Sequence, residues 1–151
     1  MIDDPQALAE ATARAMYESD ACSRWLGMVL EEVRPGYARL SMEVRTEFLN
    51  GHAICHGGLM FTLADSAFAF ACNSYNISTV ASGCSIDFLR PVQGGDVLTA
   101  EAVEQVLSGR HGIYDIKVVN RAGATSPVTT IVRSLSYWLM VPDPHGSRSE
   151  P

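Results

Sequence analysis

The densest apolar stretch of the chain covers residues 59–72, LMFTLADSAFAFAC, and is interrupted only by Thr62, Asp65 and Ser66. A helix that is apolar on every side is a buried one, so this run predicts a central core helix. On both flanks the period changes from helical to alternating. Ahead of it, Ala38, Leu40, Met42 and Val44 alternate with Arg39, Ser41, Glu43 and Arg45, the pattern of a half-buried antiparallel strand. Residues 27–33 and 37–44 therefore predict a hairpin closed by Arg34-Pro35-Gly36. Behind it, a meander of four strands is predicted at 79–89, 97–107, 113–120 and about 125–141. Gln93-Gly94-Gly95-Asp96, the segment 108–112 and Arg121-Ala122-Gly123 supply the turns. At the start, residues 5–19 read as a helix capped by Asp3 or Asp4, with Pro5 in its first turn. Leu8, Ala11, Ala15 and Tyr17 are its expected packing face.

A sheet with one apolar face needs a layer to cover it, and the 59–72 helix is the element apolar enough to do so. The expected architecture is α+β: a curved antiparallel β-sheet wrapped around one long central helix, with an additional N-terminal helix. At 151 residues the chain suits one domain with a sizeable core, placed at 1–141. The segment 142–151, rich in Pro, Ser and charge, is expected to be a mobile tail.

Asp65 is the only formal charge in the central run. An isolated buried carboxylate costs several kcal/mol unless it is paired or protonated, and no polar face is visible in this run to solvate it. It is therefore either hydrogen-bonded into the architecture or kept for chemistry. The run opens on His56-Gly57-Gly58, after the turn-like Asn50-Gly51. Glycines there permit close approach to the backbone, and the first amides of a helix form a ready anion or oxyanion site. The same glycines also suit a plain tight entry into a buried helix. Gly57 and Asp65 are eight residues apart, about 12 Å along one helix. A reacting carbonyl carbon must lie about 3 Å from both its oxyanion donor and its attacking group. If both residues are catalytic, Gly57 of one subunit must face Asp65 of another, as in a twofold dimer with antiparallel helices.

Composition narrows the function classes. The net charge of −6 argues against non-specific nucleic-acid binding, which needs a basic surface. The 14-residue apolar run is too short to span a bilayer, and MIDDPQ lacks the basic and apolar regions of a secretory signal. A cytoplasmic protein without membrane or nucleic-acid partners is expected. Cys22, Cys55, Cys72 and Cys84 show no metal or redox spacing, and Cys72 and Cys84 read as small core residues. His52, Cys55 and His56 could form a metal cluster on paper, but no fourth ligand is near in sequence. No metal or other cofactor is expected.

HGGLMFTLAD on a buried helix, followed by IDFLRP and GGD, resembles the hotdog-fold acyl-CoA thioesterases, in particular the phenylacetate-degradation (PaaI-type) branch. The similarity spans about residues 27–120. It implies that Gly57 donates its N–H to the thioester oxygen and that Asp65 of the neighbouring subunit is nucleophile or general base. It further implies that Asn50 orients water or the acyl group and that His56 supports the loop by hydrogen bonding. The substrate implied is an aryl-acetyl CoA thioester and the assembly a homodimer, commonly a homotetramer, with coenzyme A as part of the substrate. Gly58 and Leu59, with Met60 and Phe61, then fall at the acyl end, although the three apolar residues also suit plain core. Arg90 and Arg110 are the candidate phosphate ligands, since ten of the eleven basic residues are Arg, which suits phosphate forks. The chain departs from the pattern at Ala69, where relatives often carry a hydroxyl, and near Tyr137 and Trp138, where the usual glycine is missing. Both departures bear on the acyl pocket rather than the reacting centre. Two rivals remain on sequence grounds: a hotdog dehydratase or hydratase using His56, and a non-catalytic acyl-CoA sensor, which would have no need of Asp65.

Overall fold

The computed structural model describes residues 2–121 and the backbone of a strand at Ile131–Tyr137. The expectations for the 142–151 tail and for the side chains of Tyr137 and Trp138 fall outside these residues. The elements run α1 (Pro5–Ser19), α2 (Ala21–Trp25), β1 (Val29–Arg34), β2 (Tyr37–Glu43), α3 (Gly57–Cys72), β3 (Val80–Ser85), β4 (Val97–Ser108), β5 (His111–Asn120) and β6 (Ile131–Tyr137). A short 3-10 turn, Thr46–Phe48, separates β2 from the loop leading into α3.

The alternation read in the sequence places Leu40, Met42, Leu98, Ala100, Ala102, Tyr114, Ile116 and Val118 on one face of an antiparallel sheet. Against that face α3 packs Met60, Leu63, Ala64, Ala67, Phe68 and Ala71, all buried. Phe68 meets Tyr114 edge-on, with centroids 5.2 Å apart, a favoured aromatic geometry. The small side chains at Ala64, Ala67 and Ala71 let the helix lie close to the strands, giving the predicted sheet wrapped around one helix.

The sheet order is β1-β2-β4-β5-β6-β3. This corrects the simple four-strand meander. β3 pairs with β6 at the far edge rather than with β4, so only β4, β5 and β6 follow one another as neighbours. β3 is also shorter than expected: pairing ends at Ser85, and residues 86–91 leave the sheet. Cys84 lies exposed on this edge strand, contrary to its reading as a core residue, whereas Cys72 is buried and its thiol is pushed up to about 12 by desolvation.

α1 begins where expected, with Asp4 accepting from the amides of Gln6 and Ala7. Its buried face is Ala9 and Ala13, with Met16 and Tyr17 partly covered; Ala11 and Ala15 face solvent, contrary to the sequence reading. α2 is an addition to the expected elements. Asp20 builds the junction: its amide closes α1 on Met16 and Tyr17, and its carboxylate accepts from the backbone and hydroxyl of Ser23. The Ser23 hydroxyl lies 3.1 Å from that of Ser66, fastening the N-terminal helices to α3.

The β1–β2 turn is tied to the other end of α3. Gly36 donates its N–H to Ser74 Oγ (2.8 Å), which donates to the Ala71 carbonyl (2.7 Å). Gly36 has φ +70°, and a Cβ there would fall 2.9 Å from both Glu104 Cβ and Tyr75 Oη. Gly36→Ala is therefore expected to destabilise the fold by about 1–3 kcal/mol. The check is a lower denaturant midpoint at unchanged slope.

Candidate active site

His56 is the N-cap of α3, with extended backbone (φ −64°, ψ 128°). Its Nδ1 accepts the Gly58 N–H at 3.0 Å. Nδ1 is thus the acceptor nitrogen, and Nε2 is the one left to donate. This hydrogen bond uses up the Gly58 amide. The Gly57 amide, first in the helix, has no hydrogen-bond acceptor among the described residues. It is a donor at the positive end of a 16-residue helix. Its surroundings explain the glycine: a Cβ at Gly57 would meet the Phe88 ring at 3.1–3.2 Å.

The loop before the helix is held by Asn50. Its Oδ1 accepts from the His52 amide (2.8 Å), and its backbone exchanges hydrogen bonds with Ile54 and Ala53. Ala53 adopts φ +57° within this turn. The Asn50 Nδ2 is left without a partner among the described residues. Asn50, Gly57 and Arg90 come together around a cleft of about 300 Å³, walled also by Ile54, Cys55, Met60, Phe88, Leu89, Pro91 and Val92. A size near 300 Å³ with apolar walls and a few polar groups is typical of a small-ligand site. Burial, and then the charge of Asp96, push the Cys55 thiol up, so the sulfur beside Gly57 is held protonated and unreactive.

Asp65 lies outside this cleft, as the helical spacing requires. The structure corrects its setting. α3 is not covered all round: Gly58 and Asp65 are exposed and Thr62 and Ala69 are only half-buried, forming a strip the chain itself leaves open. Thr62 is turned back onto the Gly58 carbonyl (2.8 Å). Among the described residues the Asp65 carboxylate has no hydrogen-bond or ion-pair partner. Desolvation by the surrounding apolar helix still raises its pKa above the ordinary aspartate value. A carboxylate with raised proton affinity and no structural partner is equipped to take up a proton.

Other expected residues do not line this cleft of the single chain. Of Leu59, Met60 and Phe61, Met60 lines the cleft, and Leu59 and Phe61 pack half-buried against the core. Arg110 sits at the β4–β5 turn, at the opposite end of β4 from the Gly94-Gly95-Asp96 turn, and twelve strand residues span roughly 37 Å. One chain therefore does not bring Arg110 to the Gly57 cleft. Arg90 does reach it, exposed on the 86–91 segment. The residue missed from sequence is Phe88. Its signal is its place just before Arg90-Pro91, where a strand gives way to a loop.

The chain matches the family model described as the thioesterase superfamily over residues 52–126. It is 50% identical over 113 residues to the acyl-coenzyme A thioesterase PaaI of Escherichia coli K12, covering 75% of this chain and 81% of that protein. The solved structure of the E. coli PaaI protein from the phenylacetic acid degradation operon superposes with a TM-score of 0.86 at 43% identity, covering 90% of this chain and 96% of that one. A point mutant of the phenylacetic acid degradation protein PaaI from Thermus thermophilus gives 0.74 at 34% identity, covering 80% and 100%.

Proposed function

The chain belongs to the thioesterase superfamily as a hotdog-fold acyl-CoA thioesterase of the PaaI type, and from that premise we propose an aryl-acetyl CoA thioester, such as phenylacetyl- or hydroxyphenylacetyl-CoA, as its substrate. The observation that carries the site assignment is the unpartnered Gly57 amide at the start of α3, opening onto an apolar-walled cleft. The thioester oxygen binds there, and the amide stabilises the oxyanion that develops on attack. Asp65 of the neighbouring subunit either removes a proton from water or attacks the carbon itself to give a mixed anhydride. In both routes the C–S bond breaks, coenzyme A leaves as the thiol after taking up a proton, and water supplies the acid's new oxygen.

The uncovered strip of α3 supports a twofold dimer in which two such helices run antiparallel, with dimers pairing further into a tetramer. His56 keeps the Gly57–Gly58 backbone in place, Asn50 offers its free amide to water or the acyl group, and Arg90 meets a phosphate of coenzyme A. The chemistry proposed needs no metal or redox cofactor. Among the described residues no helix is long and apolar enough to cross a membrane, which fits a cytoplasmic setting for an acyl-CoA substrate. The cleft volume, about 300 Å³, exceeds the roughly 150 Å³ that admits a benzene ring. That supports a one-ring acyl group. The test is thiol release from phenylacetyl-, hydroxybenzoyl- and hexanoyl-CoA, with the first expected to show the highest kcat/KM. Binding of all three without release would overturn hydrolysis in favour of a sensor.

A further inference from the structure

The most exposed large apolar side chain among the described residues is Trp25, at the end of α2, 68% accessible. Single exposed apolar residues are common, but a tryptophan left bare forgoes a large area of burial. Its neighbours give it a context. The Trp25 carbonyl accepts from Arg45 Nη2 (3.0 Å), and the Arg45 guanidinium carbon lies 5.9 Å from the Trp25 ring centroid and 4.4 Å from that of Phe48. The Phe48 carbonyl in turn accepts the His56 N–H (2.9 Å), and His56 caps the helix that begins at Gly57. Ring, arginine and helix start form one chain of contacts. Arg24, the preceding residue of α2, is exposed, donates from Nε to the Asp20 carbonyl (3.3 Å) and has no ion pair among the described residues, while Glu47 lies 3.2 Å from Arg45 Nε and shares its charge.

A flat exposed aromatic ring beside a guanidinium matches a purine nucleotide: the base stacks, and the phosphates meet arginine. A chain of net charge −6 needs such local cations to hold several phosphate charges. A self-complementary contact of this patch with a second copy would set the same arginines against each other. Resting on the acyl-CoA reading above, we propose that Trp25 is the stacking platform for the adenine of the coenzyme A moiety, with Arg24 and Arg45 meeting its phosphates. This supplies cations at the Gly57 end of the molecule, where Arg110 of the same chain does not reach.

Two measurements test it. The first compares phenylacetyl-CoA with the N-acetylcysteamine thioester of phenylacetate, which carries the same acyl group and no nucleotide. Trp25→Ala is expected to raise the ratio of the two KM values about tenfold, the size of one base stack, and Trp25→Phe to restore most of it. An unchanged ratio, or equal losses on both thioesters, overturns the proposal. The second is calorimetric titration with adenosine 3′,5′-bisphosphate, which requires no turnover. Binding to wild type that weakens about tenfold in Trp25→Ala supports the platform; equal binding to both, or none to wild type, overturns it. A change of native mass in Trp25→Ala would assign the ring to a subunit contact and also overturn it. If wild type cleaves neither thioester, hydrolysis itself fails, and the titration still decides the nucleotide site.

Discussion

Asp65→Asn is expected to lower kcat for thiol release by about 10²–10⁴-fold while the protein remains folded. The two halves of this expectation come from the same observation. The carboxylate holds no hydrogen bond or ion pair among the described residues, so its removal takes away no structural contact. Desolvation by the apolar side chains around it raises its proton affinity, so between the ordinary aspartate pKa and the raised one the folded chain binds more protons than the unfolded chain. Stability therefore falls as pH rises through that window, and the ionised carboxylate is a net cost above it. Asn at this position is isosteric and uncharged, so stability at neutral pH should be equal or slightly higher, read as an unchanged or raised Tm. Activity runs the other way. A base must be ionised, so kcat/KM should fall on acidification along a limb lying above the ordinary aspartate range, and residual turnover of the variant should lack it. Full activity in Asp65→Asn would remove this residue from the mechanism.

The second large effect isolates the Gly57 amide. Gly57 is the first residue of α3, where proline is well tolerated, and His56 before it already has the extended backbone that a following proline demands. Gly57→Pro thus deletes one N–H with little change to the helix. Gly57→Ala keeps the N–H but sets a Cβ at 3.1 Å from the half-exposed Phe88 ring. The contact of a Cβ with Phe88 is common to both variants; proline alone replaces the N–H by its ring Cδ. The difference between them reports the loss of the N–H and its replacement by ring carbon, and kcat should be about 10²–10³-fold lower in Gly57→Pro than in Gly57→Ala. Equal kcat values would mean that the oxyanion is stabilised elsewhere.

How far the sequence reveals this molecule depends on the range of the interactions involved. α3 is legible because it is apolar nearly all round, and Asp65 because a lone charge in such a run needs a reason. The Asn50, His56 and Gly57 cluster is legible because it is local: one short stretch holds a turn, a cap and a helix start. α1 announces itself through Asp4 and Pro5. What fails depends on distant pairings. The turn at Gln93–Asp96 suggests that β3 and β4 are neighbours, yet β3 pairs with β6, which lies beyond both β4 and β5 in the chain. Alternation along 79–89 does not show that pairing stops at Ser85, because every side chain of β3 is exposed in the single chain and the pattern therefore reports no core. Phe88 consequently reads as strand rather than as a wall of the Gly57 cleft. That Arg110 lies far from the Gly57 cleft of its own chain is hidden because the distance is set by the length and register of β4. The open strip of α3 is marked only by Thr62 and Asp65, because Gly58 and Ala69, which complete it, read as apolar whether or not anything covers them.

The central claim, that each site joins Gly57 of one subunit to Asp65 of another, is tested most directly by mixing two inactive variants. Asp65→Asn and Gly57→Pro are co-assembled in equal amounts, and thiol release from phenylacetyl-CoA is measured beside each variant alone. In a shared site, half the dimers are mixed and each mixed dimer carries one intact site of two, so activity should recover to about one quarter of wild type. Mixed dimers as inactive as the separate variants would contradict the shared site and, since one helix cannot bring both groups to one carbon, would remove one of them from the reacting centre.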